Sequence, residues 1–187
     1  MNQFHWYFAV GAILAIATFL KKYWVLYDQK LASLINSSCL LFHFIFLSAF
    51  IYCTLPYKKS ILYRVIFLVC TVLIIFCLFT NNSYTLPSNA FAISNLGLVI
   101  FCCFYYYQLF EAVPTITLLK EPSFWIITGI FFCMCSTVPI LAIRFYLLHN
   151  TSQKFYSTIE IVIPFAYGVM HLFFIKAYVC SIRFRRA

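Results

Sequence analysis

The sequence predicts an all-α integral membrane helical bundle with six transmembrane helices and both termini inside. Three observations predict it: the composition, the length of the apolar runs and the position of the charges. Of the 187 residues, 65% are apolar, 21% aromatic and 9% charged, whereas a soluble domain carries about 25% charged residues. The hydrocarbon core of a bilayer takes about 20 apolar residues in helical form, at 1.5 Å each. Six stretches meet that length: 4–20, 31–55, 61–80, 90–110, 124–148 and 157–181.

Run 4–20 is the shortest, and its Ala15-Ile16-Ala17 triplet resembles a signal cleavage site. A secretory signal places its positive charge before the apolar run; here Lys21 and Lys22 follow it, so the run reads as a membrane helix. Run 31–55 is closed by Pro56, and 61–80 opens after Lys58 and Lys59 and ends at the polar turn that begins with Asn81 and Asn82. Run 90–110 ends in the aromatic triplet Tyr105, Tyr106 and Tyr107, which reads as part of an interfacial belt. Pro139, after Ser136 and Thr137, is expected to kink run 124–148 and free a backbone carbonyl for a hydroxyl to satisfy. Arg144 near its end is expected to reach the headgroups along its own aliphatic stem. The connections are too short for a soluble domain and no repeat divides the chain, so residues 1–187 form a single transmembrane helical domain.

The formal charge of +9 comes from 13 Lys and Arg against 4 Asp and Glu. The basic residues sit at the ends of apolar runs rather than along a polar helix, which excludes nucleic acid as the partner and points to the lipid bilayer. Lys58, Lys59, Arg64, Lys120, Lys176, Arg183, Arg185 and Arg186 lie on the side shared by the termini; Lys21, Lys22, Lys30, Arg144 and Lys154 lie opposite. That excess places the termini inside. The nine cysteines contain no C-x-x-C pair and no His at zinc-finger spacing, so they read as small buried hydrophobes, with no metal and no cofactor implied.

The stretch LLKEPSFWIITG, 118–129, marks an entry into the bilayer. Pro122 suits the first turn of a helix, where its missing donor costs nothing, and Glu121 complements the positive end of the helix dipole. Trp125 then falls at headgroup depth. Residues 112–119 are apolar but too short to cross, and are expected to lie along the inner surface.

Polar residues inside the spans are the candidates for function, because an ionisable group in mid-bilayer costs about 3 kcal/mol and normally faces the bundle interior. Glu160 and His171 are eleven residues apart, nearly three helical turns, and so share one face. Asn36 and His43 are seven apart and share a face of the second span. Together these four are the candidate ligand-binding residues, the two stripes meeting in one pocket that exchanges protons or holds a cationic ligand. Simpler structural roles compete: Ser157 and Glu160 have capping-box spacing, His171 suits an interhelical hydrogen bond, and the two stripes read equally well as separate packing contacts. Ser94 and Asn95 are weaker candidates, lying about one turn inside the outer surface.

Pro122, Phe124, Trp125, Ile126 and Gly129 form a Pro-x-Phe-Trp-Ile-x-x-Gly pattern. On these residues the chain resembles a family of small bacterial multi-pass membrane proteins related to seven-helix sensor-type proteins. The likeness extends to the aromatic final helix with His171 in its second half and to the 36–50 region. The resemblance implies a bacterial inner membrane location and a link to two-component signalling. The chain departs from it in lacking the first of seven helices, in having Cys133 where Tyr is frequent, and in having His43 where a carboxylate is common.

Three functional classes follow. The first is a membrane sensor or signalling accessory whose helix packing responds to a small ligand or the bilayer, with a cytoplasmic partner such as a histidine kinase or a second copy of the chain. The second is a small transporter or channel subunit, which needs a continuous polar path and usually paired repeats. The third, an intramembrane enzyme, lacks its signatures: H-E-x-x-H, G-x-S-x-G and aspartate pairs are all missing from the sequence, so no catalytic residue is assigned. Sensing is the leading expectation, because short loops and sparse chemistry leave helix rearrangement as the output.

Overall fold

The computed structural model describes residues 29–55, 61–80, 88–112, 119, 121–150 and 161–186. They form five helices: α1 (Gln29–Thr54), α2 (Ile61–Thr80), α3 (Ser88–Ala112), α4 (Pro122–Asn150) and α5 (Val162–Arg186). All five are long and apolar enough to cross a membrane, which makes the chain a multi-pass membrane protein of all-α class. Run 4–20 and the surface segment expected over 112–119 fall largely outside the described residues, as do Ser157 and Glu160.

Local chemistry accounts for the helix ends. At the close of α1 the Leu55 amide turns back to the Tyr52 carbonyl at 3.3 Å, and Pro56 follows, which cannot donate to continue the helix. Pro122 opens α4, where its missing donor costs nothing. Pro164 stands in the first turn of α5, before the Phe165 amide makes its bond to the Ile161 carbonyl at 3.2 Å. α5 therefore begins at Val162 and runs to Arg186, five residues further along than the apolar pattern of 157–181 suggests.

α4 continues as helix through Pro139. The neighbouring hydroxyls do not serve the Cys135 carbonyl that Pro139 deprives of its donor. Ser136 donates to the Phe132 carbonyl at 2.8 Å, and Thr137 lies 3.0 Å from the Cys133 carbonyl and 3.2 Å from that of Met134. Such back-bonding gives a polar side chain a partner within its own helix. Thr71, Thr80 and Thr128 do likewise.

Successive helices run in opposite directions, so that α1, α3 and α5 are parallel. α3 packs on α4, α4 on α5, and α1 and α2 both rest on α3. α3 and α4 are the most enclosed of the five, and α2 the least. On α2 the buried residues are Tyr63, Cys70 and Ile74, a single line along one side. Its other sides present Leu62, Val65, Leu68, Val69, Val72, Leu73 and Phe76 outward, the composition expected of a lipid-facing helix. Phe44, Ile51, Leu98, Phe101, Ile126, Ile127, Ile130 and Met134 fill the centre.

Two glycines set helix spacing. A Cβ added at Gly129 would stand 2.8 Å from the Cβ of Phe173 and 3.2 Å from the Met170 carbonyl oxygen, so α4 and α5 approach along a line that only hydrogen allows. At Gly97 an added Cβ would meet the Phe44 ring at 3.1 Å and the Cys70 sulfur at 3.2 Å, which places α3 between α1 and α2.

Candidate functional site

Asn36 and His43 are half-buried on α1, as seven-residue spacing requires of a shared face. His171 is exposed on α5, and its Nδ1 lies 2.6 Å from the Tyr167 carbonyl one turn back. That bond stays within its own helix rather than crossing to a neighbour as the sequence suggests. α1 packs on α2 and α3 while α5 packs on α4, so the two candidate stripes sit on helices that share no substantial interface. Glu160 lies outside the described residues. Among the described residues, Asn36 and His43 therefore stand apart from His171.

Polar groups do converge between α3 and α4. Asn95, 4% exposed, donates from Nδ2 to the Thr137 Oγ1 at 3.0 Å. One residue earlier, the fully buried Ser94 hydroxyl has no partner among the described residues. The depth of Ser94 and Asn95 in the sequence understates them; the signal lies in Thr137, a polar residue at matching depth on the antiparallel neighbour. Towards the other end of this interface the Tyr106 hydroxyl donates to Thr128 Oγ1 at 2.8 Å, while Thr128 in turn donates to the Phe124 carbonyl.

The tyrosine triplet is not a uniform belt. Tyr105 is buried at 1% exposure, Tyr106 bridges to α4, and Tyr107 is 64% exposed with its hydroxyl donating to Glu111 at 3.1 Å. Successive helical residues point about 100° apart, so only the third lies where an interfacial belt would place it. Tyr105 belongs to the core.

The Pro-x-Phe-Trp-Ile-x-x-Gly residues pack α4 against both neighbours. Phe124 meets Tyr106 edge-on at 6.2 Å, Ile126 is buried, and Gly129 admits α5. The Trp125 indole N–H donates to the Leu119 carbonyl at 2.9 Å, its ring stacks on Phe173 at 6.0 Å, and the Lys176 ammonium sits 4.8 Å above it. These contacts tie the start of α4 to Leu119, three residues before it, and to α5.

At the same end, α1 and α2 enclose a groove of about 350 Å³ lined by Ser48, Ala49, Tyr52, Tyr63, Arg64 and Phe67. Its inner wall is firm: Tyr63 donates to the Ser48 carbonyl at 2.6 Å and stacks on Phe101 at 4.3 Å. Arg64 reaches across the mouth, an Nη atom 3.4 Å from the Tyr52 hydroxyl.

Among the described residues no group of three or more His, Cys, Asp and Glu side chains stands close enough to hold a metal ion. No protein-family model matches the chain. No curated protein matches it, and no solved structure does.

Proposed function

We propose that the protein is a membrane sensor or signalling accessory whose helix packing responds to a small ligand or to the bilayer. The reading includes six crossings with both termini inside, the first over residues 4–20, in a bacterial inner membrane, and a cytoplasmic partner such as a histidine kinase. The observation that carries it is unequal packing. α4 and α5 are locked by the close approach at Gly129 and by the Trp125–Phe173–Lys176 stack, whereas α1 and α2 meet along a narrower seam around Tyr63 and Phe67 and otherwise pack on α3. A bundle with one fixed pair and one loosely joined pair has the discrete alternatives that a switch requires. A transporter would draw its polar residues into a shared path; among the described residues, Asn36 and His43 lie on α1 and His171 on α5, helices that share no substantial interface.

Spin-label distances test this directly. In a background whose native cysteines are replaced, one pair of labels at Ile45 and Leu68 reports on α1 and α2, and another at Phe132 and Leu172 on α4 and α5; all four positions are exposed. As bilayer thickness and surface charge are varied, the first distance is expected to change by about 2 Å, the scale of helix shifts in switching proteins, while the second stays fixed. Two invariant distances, or two that move alike, would remove the basis for a sensing role.

A further inference from the structure

The groove between α1 and α2 combines features that no packing role uses. Arg64 lies in the first turn of α2, where unpaired backbone N–H groups already create a positive field, and that turn holds no acidic residue. A cation there is opposed by the helix dipole unless an anion stands beside it. The carboxylates among the described residues are engaged elsewhere: Glu111 accepts from Tyr107 and Glu121 from Ser123. Below the charge, the groove becomes apolar, with exposed Ala49 as its open side and half-buried Phe67 further along α2. Arg64 is three residues inside the start of α2, about 4.5 Å along the axis, a depth from which guanidinium groups reach the headgroup layer.

We propose that this groove is a binding site for one anionic phospholipid. The guanidinium of Arg64 pairs with the headgroup phosphate beside the Tyr52 ring, and an acyl chain lies along Ala49 and Phe67. Bidentate pairing with phosphate suits Arg better than Lys. An anion held here also relieves the repulsion between Arg64 and the α2 dipole, so charge complementarity selects the occupant. The assignment is independent of the sensing role, because binding is read whether or not the bundle responds to it.

The test is lipid binding to the purified full-length chain by native mass spectrometry, with dioleoyl phosphatidylglycerol and dioleoyl phosphatidylcholine as probes. One tightly held phosphatidylglycerol is expected, bound about fivefold or more above phosphatidylcholine, the preference that one well-placed basic residue supplies. Arg64→Gln is expected to abolish the preference, and Arg64→Lys to keep part of it. Ala49→Trp, which fills the groove without changing charge, is expected to reduce binding of both lipids. Lys176→Gln, which removes a cation at the same end of the bundle, is expected to leave the preference intact. Equal loss in Lys176→Gln and Arg64→Gln would show a general surface field and overturn the site. Displacement of the lipid by soluble glycerol phosphate at equal concentration would overturn it in favour of a free-phosphate site. Arg64→Gln retaining the full preference would overturn it outright. Helical content and melting of each variant, by circular dichroism, separate loss of binding from loss of fold.

Discussion

The side-chain amide of Asn95 donates to the hydroxyl oxygen of Thr137 at 3.0 Å, a bond between α3 and α4 shielded from lipid and water alike. Hydrogen bonds between membrane helices contribute about 0.6 kcal/mol on average and up to about 1.7 kcal/mol. Asn95→Leu and Thr137→Val should each destabilise the chain by about 1 kcal/mol, with Thr137→Val the costlier because it leaves the Asn95 donor buried without its partner. A double-mutant cycle followed by unfolding in mixed micelles should give a coupling energy of the same order. Strict additivity would show that the two side chains do not share this bond in the folded protein.

Gly129 and Gly168 make a contrasting pair. An added Cβ at Gly129 would sit 2.8 Å from the Phe173 Cβ, while one at Gly168 would meet nothing within 4 Å. Gly129→Ala is therefore expected to cost about 1–3 kcal/mol by forcing α4 away from α5. Gly168→Ala is expected to be neutral or stabilising by up to about 1 kcal/mol, through helix propensity. Because the obstacle at 129 is another Cβ and a backbone carbonyl, Phe173→Ala should fail to rescue Gly129→Ala. Thermal melting of the single and double variants in one detergent checks all of this, and a rescued double variant would contradict the close approach.

These two sites show what a sequence of this kind reveals. The apolar runs give the helices well: the expectation of 61–80 matches α2 residue for residue, because length and charge-free composition are properties of one segment. Facing is another matter. In a soluble helix the core side is more apolar than the other, but against lipid both sides are apolar, so the pattern that marks the buried face is erased. Tyr105, Tyr106 and Tyr107 are chemically identical in the sequence and differ only in which neighbour each meets. The same reason separates Asn36 and His43 from His171: periodicity shows that residues share a face of one helix, never that two faces meet. The Asn95–Thr137 bond links residues 42 apart, and no local rule pairs them.

Tyr63 joins three helices at one point, and its parts can be separated by mutation. The hydroxyl bonds the Ser48 carbonyl at 2.6 Å, and the ring stacks on Phe101 at 4.3 Å and lies 5.3 Å from that of Tyr52. Tyr63→Phe keeps the ring and should cost about 0.5–1.5 kcal/mol, the net value of one hydrogen bond. Tyr63→Ala should cost about 3–5 kcal/mol, the range for emptying a buried aromatic site. Unfolding free energies in micelles distinguish the two, and equal losses would mean that the ring contributes nothing beyond its hydroxyl.

The cysteines report on both packing and orientation. Cys102 and Cys133 are fully buried and Cys70 nearly so, whereas Cys53, Cys103 and Cys135 are exposed. Thiol modification needs water to carry the thiolate, so an exposed cysteine deep against lipid reacts slowly however open it is. Cys53 is the penultimate residue of α1 and in the sequence shortly precedes Pro56 and the Lys58-Lys59 pair, and is the exposed thiol placed to meet water. A membrane-permeant maleimide should therefore modify Cys53 first and reach Cys102 and Cys133 only after denaturation. An impermeant maleimide applied to sealed inside-out vesicles should modify Cys53, and in right-side-out vesicles should not, since both termini and the 56–60 connection are proposed to face the interior. Cys53→Ser should remove that fast signal. The reverse sidedness would invert the whole bundle in the membrane, moving the Arg64 groove to the outer leaflet while leaving every helix contact described above unchanged.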